Sequence, residues 1–296
     1  MSELTELQTF VAAAQTGSFA AAARRLGVTP ALVGRRIQSL EDRHGARLIE
    51  RTTRAQRLTA LGETFLAKAV EITEAMDELS DLTDPKAPLS GRIRMTAPTT
   101  LGITALAAIV ARFAAAHPNV TVELNLNDRR VDLITGGFDL AVRIGDLTAS
   151  TLIARRVGTY RFAVCGAPIF LAGRGVPKVP DDLKTARCIL NLNLVPRNLW
   201  PFHDQNGAAH QIEVSGGVEI DNGEAMRAAA LAGAGLIYAP LPLVADDLAQ
   251  GRLVQVLAGW PTITLPIHTL HPSRRFVPRR VSSLVQAIAD GLKEAD

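Results

Sequence analysis

The sequence predicts an α/β protein of more than one domain: a small N-terminal helical domain with a β-hairpin, one long helix, and a larger two-lobed α/β domain. Three observations predict it. Two short helical patterns flank a glycine turn near the N-terminus, a long apolar three/four spacing follows, and strand-like and helix-like segments then alternate to the end of the chain. With 296 residues and 47% hydrophobic residues, the chain can form about two domains.

The first pattern predicts a helix, a turn and a second helix. Ser18 can cap a short helix with a small apolar interior, and Gly27 can adopt the positive φ of a tight turn. Thr29 is a good N-cap and Pro30 suits the first helical position. Such a pair fits the major groove of DNA. The residues predicted to contact DNA from these helices are Ser18, Thr29, Pro30, Ala31, Gly34, Arg35 and Gln38.

Residues 47–59 predict a small β-hairpin, or wing, because apolar and polar residues alternate at both ends of a basic centre. The segment from Arg24 to Arg57 contains nine arginines and three acidic residues, so its charge is strongly positive. The segment from Leu61 to Asp84 contains one lysine and seven acidic residues, so its charge is strongly negative. This separation favours one DNA-facing surface, the alternative being a solvated basic face. The wing residues predicted to contact phosphates or the minor groove are Arg51, Thr53, Arg54 and Arg57.

A series of short motifs runs through this region: residues 10–12, 17–26, 33–37, 40–41, 45, 47–48, 51–54, 58–59 and 62. In order and spacing they resemble the winged helix-turn-helix of LysR-type transcriptional regulators. The sequence departs from the family at Pro30 and Ala31, where the family usually has polar residues, and at Gly34, where it commonly has Ser. Because fewer side-chain donors remain, base readout should depend on Arg35 and Gln38, on the wing and on DNA shape.

A long helix follows, with apolar residues at three/four spacing and no Gly or Pro after Gly62. The spacing predicts a coiled-coil-like seam, the alternative being a helix packed on its own domain. The LysR resemblance implies antiparallel pairing, and so a homodimer or homotetramer on a pseudo-palindromic site in double-stranded DNA. The residues predicted to form the seam are Leu61, Phe65, Ile72, Met76 and Leu79.

The predicted domains are a winged helix-turn-helix over 1–60, a dimerisation helix over 61–83, a hinge over 84–91 and an effector-binding domain over 92–296. Strands alternating with helices, including helices over 104–116 and 131–136, indicate an α/β sandwich with mostly parallel sheets. We place lobe I at about 92–162 and 267–296, and lobe II at about 163–266. A cleft between the lobes is the natural place for a small ligand.

Further motifs fill this half of the chain: residues 91–94, 97–98, 117–118, 138–145, 221–225, 228–233 and 244–248. They resemble the effector domain of LysR regulators, which implies a type 2 periplasmic-binding-protein-like fold and a small-molecule effector. Hydroxyls and free N–H groups where a helix begins suit a carboxylate or another anion. The residues predicted to bind the effector are Thr99, Thr100, Arg143, Gly145, Trp200 and Asn222. In the alternative, the Thr and Asn residues are helix caps, Arg143 belongs to a structural ion pair and Trp200 is a core residue.

Other classes of protein find little support. The sequence shows no run of 18 apolar residues and no signal peptide, and its two cysteines lack a CxxC spacing, so we expect a cytoplasmic protein without a membrane span. His268 and His271 would point to opposite faces of a strand, so we expect no metal site. Residues 233–235 lack the third glycine of a nucleotide-binding loop, and no Ser or Cys nucleophile has a recognisable partner motif, so we expect no cofactor and no enzymatic activity. The expected function is a ligand-responsive transcription regulator, with RNA polymerase a further candidate partner. The alternatives are a constitutive or architectural DNA-binding protein, and an enzyme or transport-type binding protein.

Overall fold

The computed structural model describes residues 2–51, 56–83, 87–129, 132–147, 152–204, 206–272 and 277–294. The N-terminal domain contains three helices and a hairpin, and a long helix leads out of it. These elements are α1 (Glu3–Thr16), α2 (Phe19–Leu26), α3 (Pro30–His44), β1 (Ile49–Arg51), β2 (Gln56–Leu58) and α4 (Ala60–Thr83).

The helix boundaries of the N-terminal domain follow from local chemistry. The Thr29 hydroxyl accepts a hydrogen bond from the Leu32 N–H at 3.3 Å and Pro30 opens α3, as predicted. Ser18 lies at the N-cap position of α2, but its hydroxyl makes no capping hydrogen bond, so the predicted side-chain cap is wrong. Its carbonyl instead accepts the Ala22 N–H at 2.9 Å, which satisfies the first turn through the backbone.

The C-terminal half is built from eleven strands and six α-helices among the described residues. The strands are β3 (Gly91–Ala97), β4 (Val120–Leu126), β5 (Leu140–Ile144), β6 (Ile153–Gly166), β7 (Arg187–Asn191), β8 (Leu199–His203), β9 (Ala209–Glu213), β10 (Ser215–Ile220), β11 (Ile237–Pro240), β12 (Val254–Val256) and β13 (Thr264–His271). The helices are α5 (Thr99–Leu101), α6 (Ala107–Ala116), α7 (Pro168–Arg174), α8 (Gly223–Leu231), α9 (Leu241–Ala249) and α10 (Arg279–Glu294). A π-helical turn (Gly102–Leu106) joins α5 to α6, and a 3-10 helix spans Pro180–Lys184.

Two strands join the lobes. The first part of β6 pairs with β13 in lobe I, and its last residues pair with β11 and β12 in lobe II, in the order β11-β6-β13-β5-β3-β4. Among the described strand pairs of this half, β3–β4, β3–β5 and β7–β10 are parallel, with a single parallel bridge between Cys188 and Leu236, and the other five pairs are antiparallel. The expectation of mostly parallel sheets is therefore wrong, because β6 and β13 carry the chain between the lobes in opposite directions and pair side by side.

Two further predictions differ from the structure. The described part of the segment predicted as a helix, 132–136, forms turns, since Asp132 Oδ1 accepts the Ile134 and Thr135 N–H groups and Gly137 has a φ of 63°. The predicted lobe boundary at 266/267 falls inside β13, which begins at Thr264 opposite Arg161. The β8–β9 hairpin and helices α7 and α9 were not predicted, because short elements carry little periodicity.

One helix in the described ranges, Thr99–Ala116, is long and apolar enough to cross a membrane. Five of its large apolar residues pack into the core of lobe I together with β3, β5 and α10, whereas Ile103 is exposed. These residues are Leu101, Leu106, Ile109, Val110 and Phe113. A core helix of this kind has the same composition as a membrane span.

Candidate DNA-binding surface and interlobe cleft

Helix α3 presents a polar face to solvent because its other face is buried. Val33, Ile37 and Leu40 lie in the core of the N-terminal domain with almost no exposed surface. Arg35 and Gln38 are exposed, as the spacing predicted, together with Thr29, Pro30 and Ala31, and Gly34 is half-buried. The exposed face therefore carries one guanidinium and one amide, the groups suited to bidentate contacts with base edges.

Glu41 connects this helix to the wing, and sequence reasoning missed it. The Glu41 carboxylate is buried and accepts the backbone N–H groups of Leu48 at 2.8 Å and Ile49 at 3.0 Å. It fixes the start of β1 relative to α3 through two charge-assisted hydrogen bonds. Its position four residues after Ile37 was the available signal, because a carboxylate on the apolar face of a helix needs buried donors.

The wing is a two-stranded antiparallel hairpin in which Ile49 pairs with Leu58 and Arg51 with Gln56. Arg57 is exposed on β2. Thr53 and Arg54 lie outside the described residues, and so does the side chain of Arg51, whose backbone belongs to β1. The predicted contacts of these three residues with DNA therefore stay predictions.

The apolar stripe on α4 is exposed along most of its length. Leu61 and Leu79 expose 52% of their surface, Ile72 exposes 48% and Met76 exposes 40%. Phe65 differs, since its ring packs edge-on against Phe10 at 5.5 Å in the core of its own domain. The start of α4 therefore packs on the N-terminal domain, and the predicted place of Phe65 in the dimer seam stays a prediction.

The N-termini of α5 and α8 face each other across the cleft. A methyl group placed on Gly223 would lie 2.4 Å from Thr100 Oγ1, so the two lobes nearly touch there. The Thr99 N–H already donates to Asp128 Oδ1 at 2.8 Å, and Asn222 Oδ1 accepts the Ala225 N–H at 3.0 Å. The structure thus brings Thr99, Thr100 and Asn222 to one place, as predicted from two separate sequence segments.

Three other predicted ligand contacts have different settings. Arg143 is half-buried on β5, where its Nη1 donates to the Val142 carbonyl at 3.2 Å. Gly145 follows with a φ of 93° and open space where a side chain would lie. Trp200 exposes only 1% of its surface and packs on Tyr238 in the core of lobe II, with Phe202 alongside. The prediction that Trp200 contacts a ligand in the cleft is wrong, because the β8–β9 hairpin folds its aromatic side chains into the core of lobe II.

Hydrogen bonds at the crossing of the lobes centre on Tyr238. Its hydroxyl donates to the Pro201 carbonyl and accepts the Ile263 N–H, each at 3.0 Å. The Thr262 hydroxyl donates to the Phe162 carbonyl at 2.7 Å. Burial raises the pKa of Tyr238 to about 12, so the phenol stays protonated and able to donate.

The two cysteines are free and buried, and they lie in different clusters of lobe II. Cys165 packs with Met226 and Val244, whereas Cys188 packs with Trp200 and Tyr238. Burial raises the pKa of each thiol to about 12, so almost no thiolate forms at neutral pH. Within the described ranges, no cluster of three or more His, Cys, Asp or Glu residues could hold a metal ion.

Comparison with known proteins places these two units in one family. A model described as "Bacterial regulatory helix-turn-helix protein, lysR family" matches residues 4–63, and one described as "LysR substrate binding domain" matches residues 86–293. The chain belongs to the LysR family of transcriptional regulators. LysR regulators bind DNA and small-molecule effectors, form oligomers and are generally not enzymes.

Individual LysR proteins match over nearly the whole chain. The chain is 33% identical to the uncharacterized HTH-type transcriptional regulator YhjC of Escherichia coli K12, covering 99% of each protein. It is 34% identical to the HTH-type transcriptional regulator PtxR of Pseudomonas aeruginosa, covering 98% of this chain and 93% of that protein. Among solved structures, the LysR-type regulator CrgA of Neisseria meningitidis matches with 27% identity and a TM-score of 0.64, covering 97% of this chain and 98% of that one.

Proposed function

We propose that this LysR regulator is a homo-oligomer that reads a pseudo-palindromic site in double-stranded DNA. A small molecule that binds between the lobes changes the affinity of the oligomer for that site. The observation that carries the proposal is α3, which buries Val33 and Ile37 and exposes Arg35 and Gln38. A helix held rigidly on one face and polar on the other is what groove reading requires. Its partner, chromosomal DNA, would place the protein in the cytoplasm.

The interlobe cleft supports the response to an effector. A ligand beside the contact of Thr100 with Gly223 would touch both lobes close to the point where they come nearest. Because the lobes are joined through β6 and β13, a ligand that fits one orientation better shifts the population toward it. An anionic group at the start of α5 would have to displace the Asp128 carboxylate from the Thr99 N–H. The effector therefore needs hydrogen-bond acceptors strong enough to replace that bond, or a group that binds beside it.

We expect Arg35→Ala to weaken specific DNA binding by roughly 5- to 150-fold, since one bidentate base contact contributes about 1–3 kcal/mol. The measurement is footprinting of the full chain on the DNA upstream of its own gene, followed by titration of the protected site at fixed salt. The matched control is Arg112→Ala, which removes the same charge from an exposed position on α6. An unchanged footprint with Arg35→Ala, or no salt-sensitive DNA binding by the wild type, would contradict the proposal.

We expect Gly223→Ala to abolish the effector response and to leave DNA binding intact, because the added methyl group would lie 2.4 Å from Thr100 Oγ1 and would hold the lobes farther apart than they are in this structure. Compounds are first screened for a change in the footprint of the wild type. Gly173→Ala is the control, since nothing lies within 4 Å of that position. A response that survives in Gly223→Ala counts against the cleft, and a footprint that no compound alters favours a constitutive DNA-binding protein.

We expect Ile72→Glu to raise the dimer dissociation constant at least tenfold, because the substitution places a charge in the exposed apolar stripe of a helix that is already acidic. Sedimentation velocity over a range of protein concentrations measures the change. Ile169→Glu, at a 76% exposed position on α7, is the matched control. Equal dissociation constants for the two variants would argue that α4 does not form the interface.

A further inference from the structure

A cavity lies outside the interlobe cleft, between the N-terminal domain and lobe I. Its volume is about 530 Å³. Its walls come from α1, α2 and α4 on one side, and from residues 87–92 and the start of α10 on the other. Small-molecule sites are usually about 300–1,000 Å³ and often lie between domains. The cavity therefore has the size and the place of a ligand site.

The charge of the lining is strongly asymmetric. Four guanidinium groups and one carboxylate line the cavity among the described residues. They belong to Arg25, Arg92, Arg279, Arg280 and Asp139. The single carboxylate accepts the backbone N–H of Arg94 at 2.8 Å, so it is held in place by β3. Guanidinium groups bind carboxylates and phosphates through paired hydrogen bonds, so the lining favours an oxyanion.

The basic side chains are anchored by contacts with the cavity walls. Arg279 Nη1 donates to the Ala87 carbonyl at 3.4 Å, and Arg280 Nε donates to the Arg92 carbonyl at 3.3 Å. Arg25 Nη1 donates to Gln15 Oε1 at 2.6 Å. These bonds orient the guanidinium groups before a ligand arrives, and that reduces the entropy lost on binding.

Arg92 connects the cavity to both structural units. Its Nη1 lies 3.4 Å and 3.3 Å from the carbonyls of Arg24 and Arg25 at the end of α2, and its Nη2 pairs with Glu123 on β4 at 2.9 Å. The C-terminal end of a helix carries partial negative charge, which a guanidinium stabilises. Arg92 therefore already joins the helix before the recognition helix to the sheet of lobe I.

We propose that this cavity binds a small molecule bearing a carboxylate or phosphate group, and that the bound anion holds the N-terminal domain against lobe I. The anion contacts guanidinium groups from both units at once. It stabilises the orientation in which the cavity is formed and shifts the population of DNA-binding arrangements accordingly. Anion binding in this cavity is separate from effector binding in the interlobe cleft, and either site can exist without the other.

Isothermal titration calorimetry of the full chain tests the proposal, with inorganic phosphate and citrate as probes at constant ionic strength. We expect saturable binding of at least one probe, and the stronger of the two identifies the chemical group. Gln8→Glu adds a negative charge to the cavity wall without removing an arginine, and we expect it to weaken binding about tenfold. Gln211→Glu, at an exposed position on β9, is the matched control and should bind like the wild type.

A second variant separates this cavity from the cleft. Gly223→Ala should leave the affinity for the probe unchanged, because Gly223 lies between the lobes and does not line the cavity. No saturable binding of either probe would overturn the proposal. Equal affinity in Gln8→Glu and Gln211→Glu would also overturn it, and so would binding lost in Gly223→Ala but kept in Gln8→Glu. None of these results bears on whether the protein reads DNA or responds to an effector.

Discussion

Substitution of Asp247 by Asn is expected to destabilise lobe II by about 2 kcal/mol, because hydrogen bonds to charged groups contribute about 1.5–3 kcal/mol and both guanidinium groups stay in contact with water. The Asp247 carboxylate has no exposed surface and bonds two guanidinium groups, Arg227 from α8 and Arg252 from the turn after α9. Asn keeps the size of the side chain and removes its charge, which leaves both cations beside a neutral amide. Urea unfolding followed by tryptophan fluorescence reports this lobe, because both tryptophans of the chain, Trp200 and Trp260, lie in it.

The same carboxylate predicts an acid dependence. The hydrogen bond from Arg227 lowers the pKa of Asp247 below its ordinary value, with Arg252 adding to the effect. Its stabilisation is therefore complete above the unfolded pKa of about 3.9 and is lost as the pH falls through the lower folded pKa. Asp247→Asn should remove this part of the acid transition. Asp246→Asn, at the exposed neighbouring position, should retain it, and equal stability of the two variants would refute the assignment.

Substitution of Gly62 by Ala is expected to destabilise the N-terminal domain by about 3 kcal/mol. A methyl group there would lie 2.1 Å from the Leu48 carbonyl oxygen, and backbone cannot move aside as a flexible side chain can. That carbonyl also accepts the Thr59 N–H at 3.0 Å, so the clash falls where the wing meets the start of α4. Both the wing and the exit angle of the dimerisation helix should be disturbed, and DNA affinity should fall with them.

Hydrogen exchange of the α3 amides measures the loss, since exchange through unfolding reports the local free energy. Gly173→Ala is the control, because this position lies within α7 with nothing inside 4 Å and alanine is favoured in helices. It should leave the exchange of α3 unchanged. Protection of α3 in Gly62→Ala equal to that of the wild type would show that the close approach of Gly62 to Leu48 is relieved without cost.

Local sequence patterns were sufficient to predict most of the structure of the N-terminal domain. Thr29, Pro30 and the spacing of Val33 and Ile37 determine where α3 begins and which face is buried, because a helix depends on neighbours three and four residues away. The exposed positions of Arg35 and Gln38 follow from that periodicity alone. What periodicity could not supply was Glu41, whose partners Leu48 and Ile49 lie beyond the helix.

The effector domain was predicted less completely. Helix starts near Thr99 and Asn222 could be predicted from each segment, and their meeting agrees with the ligand cleft predicted between two lobes. Asp128 was not anticipated, although it takes the N–H group that had been assigned to an anion. Its contact is with a residue 29 positions away, so no local pattern reveals it.

The sequence by itself determined the order of the units, the reading face of α3 and the family, because each depends on residue types at short, regular spacing. The tertiary structure alone decided that Trp200 lies in the core of lobe II and that Phe65 packs on its own domain. It alone decided that β6 and β13 run antiparallel between the lobes, and that four arginines from three distant segments of the chain line one cavity. The physical reason is the same throughout: these features are contacts between segments far apart along the chain, and they exist only when the chain has folded.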